Sequence, residues 1–104
     1  MIYAFADMEL DDGLYQLRNR GKVVKLAPKA FDLLLYLLRH RDRVVPKTEL
    51  LDELWPSEHV TESVLPSNVA LVRRALEGGR SRRKLIQTVH GRGYRFVAAV
   101  EERG

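Results

Sequence analysis

The chain has 104 residues, 45% of them hydrophobic and 31% charged, with a net charge of +4. That length supports one domain, because each half would be too short to bury a core unaided, and the composition argues against a wholly disordered chain. No cysteine is present, which excludes disulfides, thiolate-ligated zinc, iron–sulfur clusters and a thiol nucleophile.

His40, His59 and His90 lie far apart and lack paired ligand spacing, so no metal site is expected. The longest apolar run, residues 33–38, is too short to cross a bilayer. An acidic, alternating segment follows Met1 where a secretory leader would need an apolar run. The expected location is cytoplasmic, with no membrane contact.

The charge is unevenly spread. Residues 1–62 carry a net −2, residues 63–100 a net +7, and the last four residues a net −1. A basic third on a near-neutral body fits a face built for polyanions. A solvated charged surface is the plain alternative.

In chain order, residues 1–26 space Ile2, Phe5, Met8, Leu10, Leu14, Leu17, Val24 and Leu26 with polar residues. Asp11-Asp12-Gly13 and Asn19-Arg20-Gly21 are turn signals, so the pattern predicts an antiparallel meander of three or four short strands. Pro28 suits a first helical turn. A helix over 29–40 follows, with Phe31, Leu34, Leu35 and Leu38 at i, i+3, i+4 and i+7, and Leu33 and Leu37 widening the stripe.

Residues 40–43 form a charged turn, and Val44-Val45 a very short strand ended by Pro46. A second helix over 47–55 buries Leu50, Leu51, Leu54 and Trp55, and Pro56 stops it. A polar loop over 57–61 leads to a third helix that runs to about Leu76 and closes at Gly78-Gly79. Residues 80–84 form a basic loop. Residues 85–89 and 94–100 form a hairpin around His90-Gly91-Arg92-Gly93.

These elements make one α+β domain of winged helix-turn-helix type. It has an N-terminal antiparallel sheet (1–26), a three-helix core (28–77) and a C-terminal β-hairpin wing (84–100). An α-helix fits the major groove of B-DNA, and a narrow loop with a cationic tip fits the minor groove. In the third helix Leu65, Val69, Val72 and Leu76 make one buried stripe. Ser63, Ser67, Ala70 and Arg74 lie opposite, flanked by Pro66, Leu71 and Arg73. Serine can donate to or accept from base edges, alanine and leucine can meet thymine methyls, and the arginines can reach phosphates or guanine. Pro66 is tolerated if Ser63 caps the helix, because an N–H at the third helical position has no intrahelical partner; otherwise the first turn is distorted.

Gln87-Thr88-Val89-His90-Gly91-Arg92-Gly93-Tyr94-Arg95-Phe96 resembles the wing signature of the OmpR/PhoB-type DNA-binding domains of bacterial transcription regulators. Glu49-Leu50-Leu51-Asp52-Glu53-Leu54-Trp55 resembles that family's second helix, and Arg73-Arg74-Ala75-Leu76 its basic pair before Ala-Leu. The resemblance covers essentially the whole chain. It implies a four-stranded N-terminal sheet, three helices and a terminal hairpin. It also implies direct-repeat DNA sites, hence a head-to-tail dimer on DNA, and a loop, here 56–61, that touches RNA polymerase. Candidate DNA contacts are Ser63, Pro66, Ser67, Ala70, Leu71, Arg73, Arg74, Thr88, His90 and Arg92, and candidate polymerase contacts are Ser57, Glu58 and His59. The chain departs from the family pattern at Pro66, Ala70 and Leu71, at His90, and at Ala27 before Pro28.

Two-component members place a receiver domain before this one. Here the first strand follows Met1 directly, so the expected context is an N-terminal DNA-binding module of a longer regulator. No carboxylate pair, nucleophile–base pair or phosphate loop is present, so neither catalysis nor a cofactor is expected. A winged helix that binds protein through its third helix is the competing function. RNA binding would call for an aromatic stacking surface that the sequence does not offer.

Overall fold

The computed structural model describes residues 1–77 and 84–104. They form β1 (Ile2–Phe5), β2 (Met8–Asp11), β3 (Gln16–Asn19), β4 (Lys22–Val24), α1 (Pro28–Arg39), β5 (Val45–Pro46), α2 (Lys47–Leu54), α3 (Val64–Glu77), β6 (Ile86–Val89), β7 (Gly93–Phe96) and β8 (Glu101–Arg103). The expected helix stop at Gly78-Gly79 and most of the basic loop, residues 80–83, lie outside the described residues.

The N-terminal meander forms as expected, except that Leu14 falls in the β2–β3 turn and is exposed, while Tyr3 takes an inward place. Tyr3 and Phe5 on β1, Met8 and Leu10 on β2, and Leu17 on β3 point inward, two residues apart within each strand. Arg20 and Gly21 take φ of 50° and 83° between Asn19 and its partner Lys22, the paired positive dihedrals of a type I′ hairpin turn. The β2–β3 turn is built differently. Gly13 keeps an ordinary φ while Tyr15 takes +53°. Asp11 Oδ1 accepts the N–H groups of Gly13 and Leu14 at 3.0 and 3.1 Å, so a carboxylate organises this turn.

The first sheet has five strands, ordered β4-β3-β2-β1-β8. Residues 101–103, which read as a charged tail, form β8 and pair antiparallel with β1. All three side chains are exposed, so no apolar alternation marks the strand. The backbone ladder holds it, joined by ion pairs from Arg103 to Glu9 at 3.1 Å and from Arg41 to Glu102 at 3.2 Å.

The second sheet is ordered β5-β7-β6. The short strand is Val45–Pro46, one residue later than expected. Pro46 tolerates this because β5 is an edge strand. The wing is also shorter than 84–100. Its ladder ends at Phe96, and after Val97 N–H donates to Leu85 O at 2.9 Å the chain leaves to reach β8.

Helix α1 lies at the centre. Leu33, Leu34, Leu37 and Leu38 are fully buried, packed in one core with the sheet residues Phe5 and Leu10 and with Leu50, Val69 and Val72 of the other helices. Leu35, placed on the buried stripe by spacing, is only partly buried, as is Leu51 of α2. Phe96 brings the wing into this core and meets the Phe5 ring edge-on at 5.0 Å. No helix among the described residues is long and apolar enough to cross a membrane.

Candidate nucleic-acid interface

Two polar clusters set α2 against α1. Glu49, in the first turn of α2, accepts a two-pronged bond from Arg43, Nη1 to Oε1 at 3.0 Å and Nη2 to Oε2 at 2.6 Å. Tyr36 of α1 donates its hydroxyl to the same carboxylate at 2.5 Å. The Arg43 guanidinium first, and then the Tyr36 hydroxyl, hold the Glu49 carboxyl down at about 2. At the other end of α2, Lys29 donates to Leu54 O and lies over the Trp55 ring. It thereby satisfies a carbonyl that the helix end leaves open.

Helix α3 starts at Val64, so Pro66 is its third residue and breaks no helical bond. Ser63 occupies the capping position, but its hydroxyl bonds Thr61 Oγ1 at 2.6 Å. The physical reason is Pro66 itself. A capping serine accepts from the second or third helical N–H; the third is missing here, and that of Leu65 donates to Glu62 O.

Beyond this turn Leu65, Val69, Val72 and Leu76 are buried, and Ser63, Pro66, Ser67, Ala70, Leu71 and Arg74 are exposed. The amide of Asn68 turns back and donates to Val64 O at 2.8 Å.

Arg73 is half-buried. Its Nη2 donates to Ile86 O at 3.1 Å and to Thr88 Oγ1 at 2.9 Å, so it clasps the flank of α3 to the first wing strand. Thr88 is correspondingly half-buried, whereas His90 and Arg92 at the tip are exposed. The tip is fixed by its backbone. Gly91 takes φ of +72°, Arg92 N–H donates to Val89 O at 3.0 Å, and Lys47 N–H, at the start of α2, donates to Arg92 O at 3.3 Å.

Gly93 does not supply a positive φ. It supplies room, since a Cβ there would sit 1.9 Å from Val45 O. Lys84 and Arg95 are further exposed cations of the wing region that the candidate set omitted. Alternation around buried Tyr94 and Phe96 was the signal that turns Arg95 outward.

The loop between α2 and α3 presents Ser57, Glu58 and His59, all exposed. From residue 48 to residue 72 the sequence has five acidic residues and no lysine or arginine. Acidic residues of α2 and the loop thus precede α3 in the chain, and the cationic wing follows it.

Residues 21–96 match the family described as transcriptional regulatory protein, C terminal. The phosphate regulon transcriptional regulatory protein PhoB of Pseudomonas aeruginosa is 32% identical over 88 residues, which cover 84% of this chain and 38% of PhoB. The DNA-binding domain of Escherichia coli CadC superposes with a TM-score of 0.84 at 25% identity, over 96% of this chain and 94% of that one. The Klebsiella pneumoniae RstA DNA-binding domain, solved in complex with the RstA box, gives a TM-score of 0.75 at 25% identity, over 91% and 95%. The chain spans 16% to 40% of the length of the curated relatives it matches first.

Proposed function

The chain belongs to the family of transcriptional regulatory protein C-terminal domains, of OmpR/PhoB type, and on that premise we propose that it binds duplex DNA sequence-specifically, with α3 in the major groove and the wing tip in the minor groove. The observation that carries this is the division of α3. One face is sealed in the core, the other is open, and Arg73 ties its flank to a hairpin with a cationic tip. Arg74 contacts phosphate or a guanine edge beside the open face, and Ser63 and Ser67 offer hydroxyls along it. RstA, a structural neighbour, was solved with its DNA box, which supports the same use of the fold here.

The wing contact falls to Arg92. Gly91 lets the backbone turn tightly and approach the duplex, and a narrow A·T-rich minor groove attracts arginine through its enhanced negative potential. Thr88 accepts from Arg73 on one side and keeps its own hydroxyl proton for a phosphate. The acidic, exposed 57–59 loop cannot favour phosphates and suits a cationic patch of RNA polymerase instead. Head-to-tail pairing on direct repeats, and a place within a longer regulator, complete the proposal. The regulator context is supported by the length of the relatives.

The test is selection from random duplexes, followed by titration of His90→Ala and Arg92→Ala on sites with A·T-rich and G·C-rich flanks. Enrichment of a site is expected, with Arg92→Ala losing more affinity on the A·T flank and His90→Ala losing less. Failure to enrich any duplex overturns DNA binding. Equal losses of Arg92→Ala on both flanks make it a phosphate contact, and a larger loss for His90→Ala assigns the tip to His90.

A further inference from the structure

The open face of α3 is short of hydrogen-bonding chemistry. Groove-inserted helices read bases from their N-terminal residues. Over residues 64–71 of α3 the exposed side chains are Pro66, Ser67, Ala70 and Leu71. Bidentate base reading needs an arginine or lysine for guanine, or an asparagine or glutamine for adenine. The one amide here, Asn68, is bonded to its own helix at Val64 O. The first arginine, Arg73, spends Nη2 on Ile86 O and Thr88 Oγ1. Arg74 lies past the middle of the helix.

What remains on the front is apolar, and Leu71 is 39% exposed, one of few large hydrophobic side chains left in solvent. In the major groove the distinctive apolar group is the C5 methyl of thymine.

We propose that the front of α3 reads thymine by its methyl group, with Leu71, Ala70 and Pro66 forming the methyl-contacting surface and Ser67 the one hydrogen-bonding side chain among them. This rests on the duplex-binding function proposed above. The occupant is a thymine-containing major groove and not a protein because Arg74, at i+3 from Leu71 and i+4 from Ala70, borders the apolar patch with a cation. Arg74 lies on the same helix, Lys84 and Arg92 lie in the wing region, and all three are exposed, so phosphates on either side would seat the helix. Affinity then comes largely from the backbone and sequence preference from methyl burial.

The experiment takes a duplex selected by the 104-residue chain and replaces thymidine with deoxyuridine, which removes the methyl and leaves every hydrogen-bonding group in place. Substitution within the α3 half of the site is expected to weaken binding roughly fourfold per contacted methyl, the equivalent of burying one such group. Substitution in the flank under the wing is expected to change nothing, because the methyl projects into the opposite groove. Leu71→Ala, an exposed position whose folding is checked by circular dichroism, is expected to abolish the thymine-over-uracil difference at one position while the other positions keep theirs. Equal affinity for the two duplexes overturns methyl reading and leaves DNA binding intact. A chain that selects no duplex overturns both.

Discussion

Arg73 carries more of the architecture than its place in a basic pair suggests. Spacing alone assigns it, with Arg74, to phosphate or guanine, yet Nη2 reaches across to Ile86 O and Thr88 Oγ1. We propose that an arginine so engaged acts on DNA through the wing it holds. Measuring affinity for Arg73→Ala, Arg92→Ala and the double variant is therefore expected to show a combined loss smaller than the sum, with a coupling of about 0.5–3 kcal/mol. Strict additivity would make the two residues independent DNA contacts. For Arg74, which is exposed, a direct DNA contact is proposed. Arg74→Ala is expected to cost about 1–3 kcal/mol concentrated at one position of the site if it reads a base, and to weaken all sequences alike if it holds phosphate. The open and buried faces of α3 were legible residue by residue, because a 3.6-residue period reports burial directly. The Arg73 clasp was not, since its partners lie 13 and 15 residues away and only the folded wing brings them close. The helix start next to Ser63 was legible, but the direction of its hydroxyl was not: Pro66 both permits that start and removes the N–H that a capping serine would use.

Among the elements, α2 depends on a carboxylate, and that dependence should be visible in acid. Glu49 is held at about 2 against its ordinary 4.5, chiefly by the Arg43 guanidinium and then by the Tyr36 hydroxyl. Because the folded-state value is the lower one, the contribution of Glu49 is fully present above about 4.5 and is lost as the pH falls toward about 2. Glu49→Gln is expected to flatten the fall of unfolding free energy across that window, as followed by urea melts. A variant with the parent's slope would mean that other carboxylates carry it. The β5–β7 contact gives a steric counterpart. Gly93→Ala would drive a methyl into Val45 O, and forced overpacking costs about 1–3 kcal/mol, so a lowered Tm is expected and an unchanged one would refute the close approach. The helices were read to within a residue or two of their ends, since proline punctuation and apolar periodicity agree at α1 and α2. Strand β8 escaped notice because strand signals rest on alternation, and Glu101, Glu102 and Arg103 have none; only the exposed edge of β1 recruits them.

At the scale of the whole molecule, α1 joins the sheet to the other two helices, so the core it shares with them supports α3 and the wing from within. Phe31→Ala and Leu54→Ala are each expected to cost about 2–5 kcal/mol. That is a large share of the stability of a domain this size, about 5–15 kcal/mol, and it would appear as a lower Tm before any change in site preference. A variant that melts like the parent would remove that residue from the core. The cationic third was legible in the sequence as charge by segment, but the placement of its exposed arginines on α3 and the wing needed the fold. That arrangement makes salt the most direct probe of the central claim, duplex binding through phosphate contacts. Affinity for the selected duplex should be measured across a range of salt concentrations. If this module neutralises about 4–6 phosphates, the log–log slope is expected to be roughly −4 to −5; a slope near zero would contradict DNA binding by this surface.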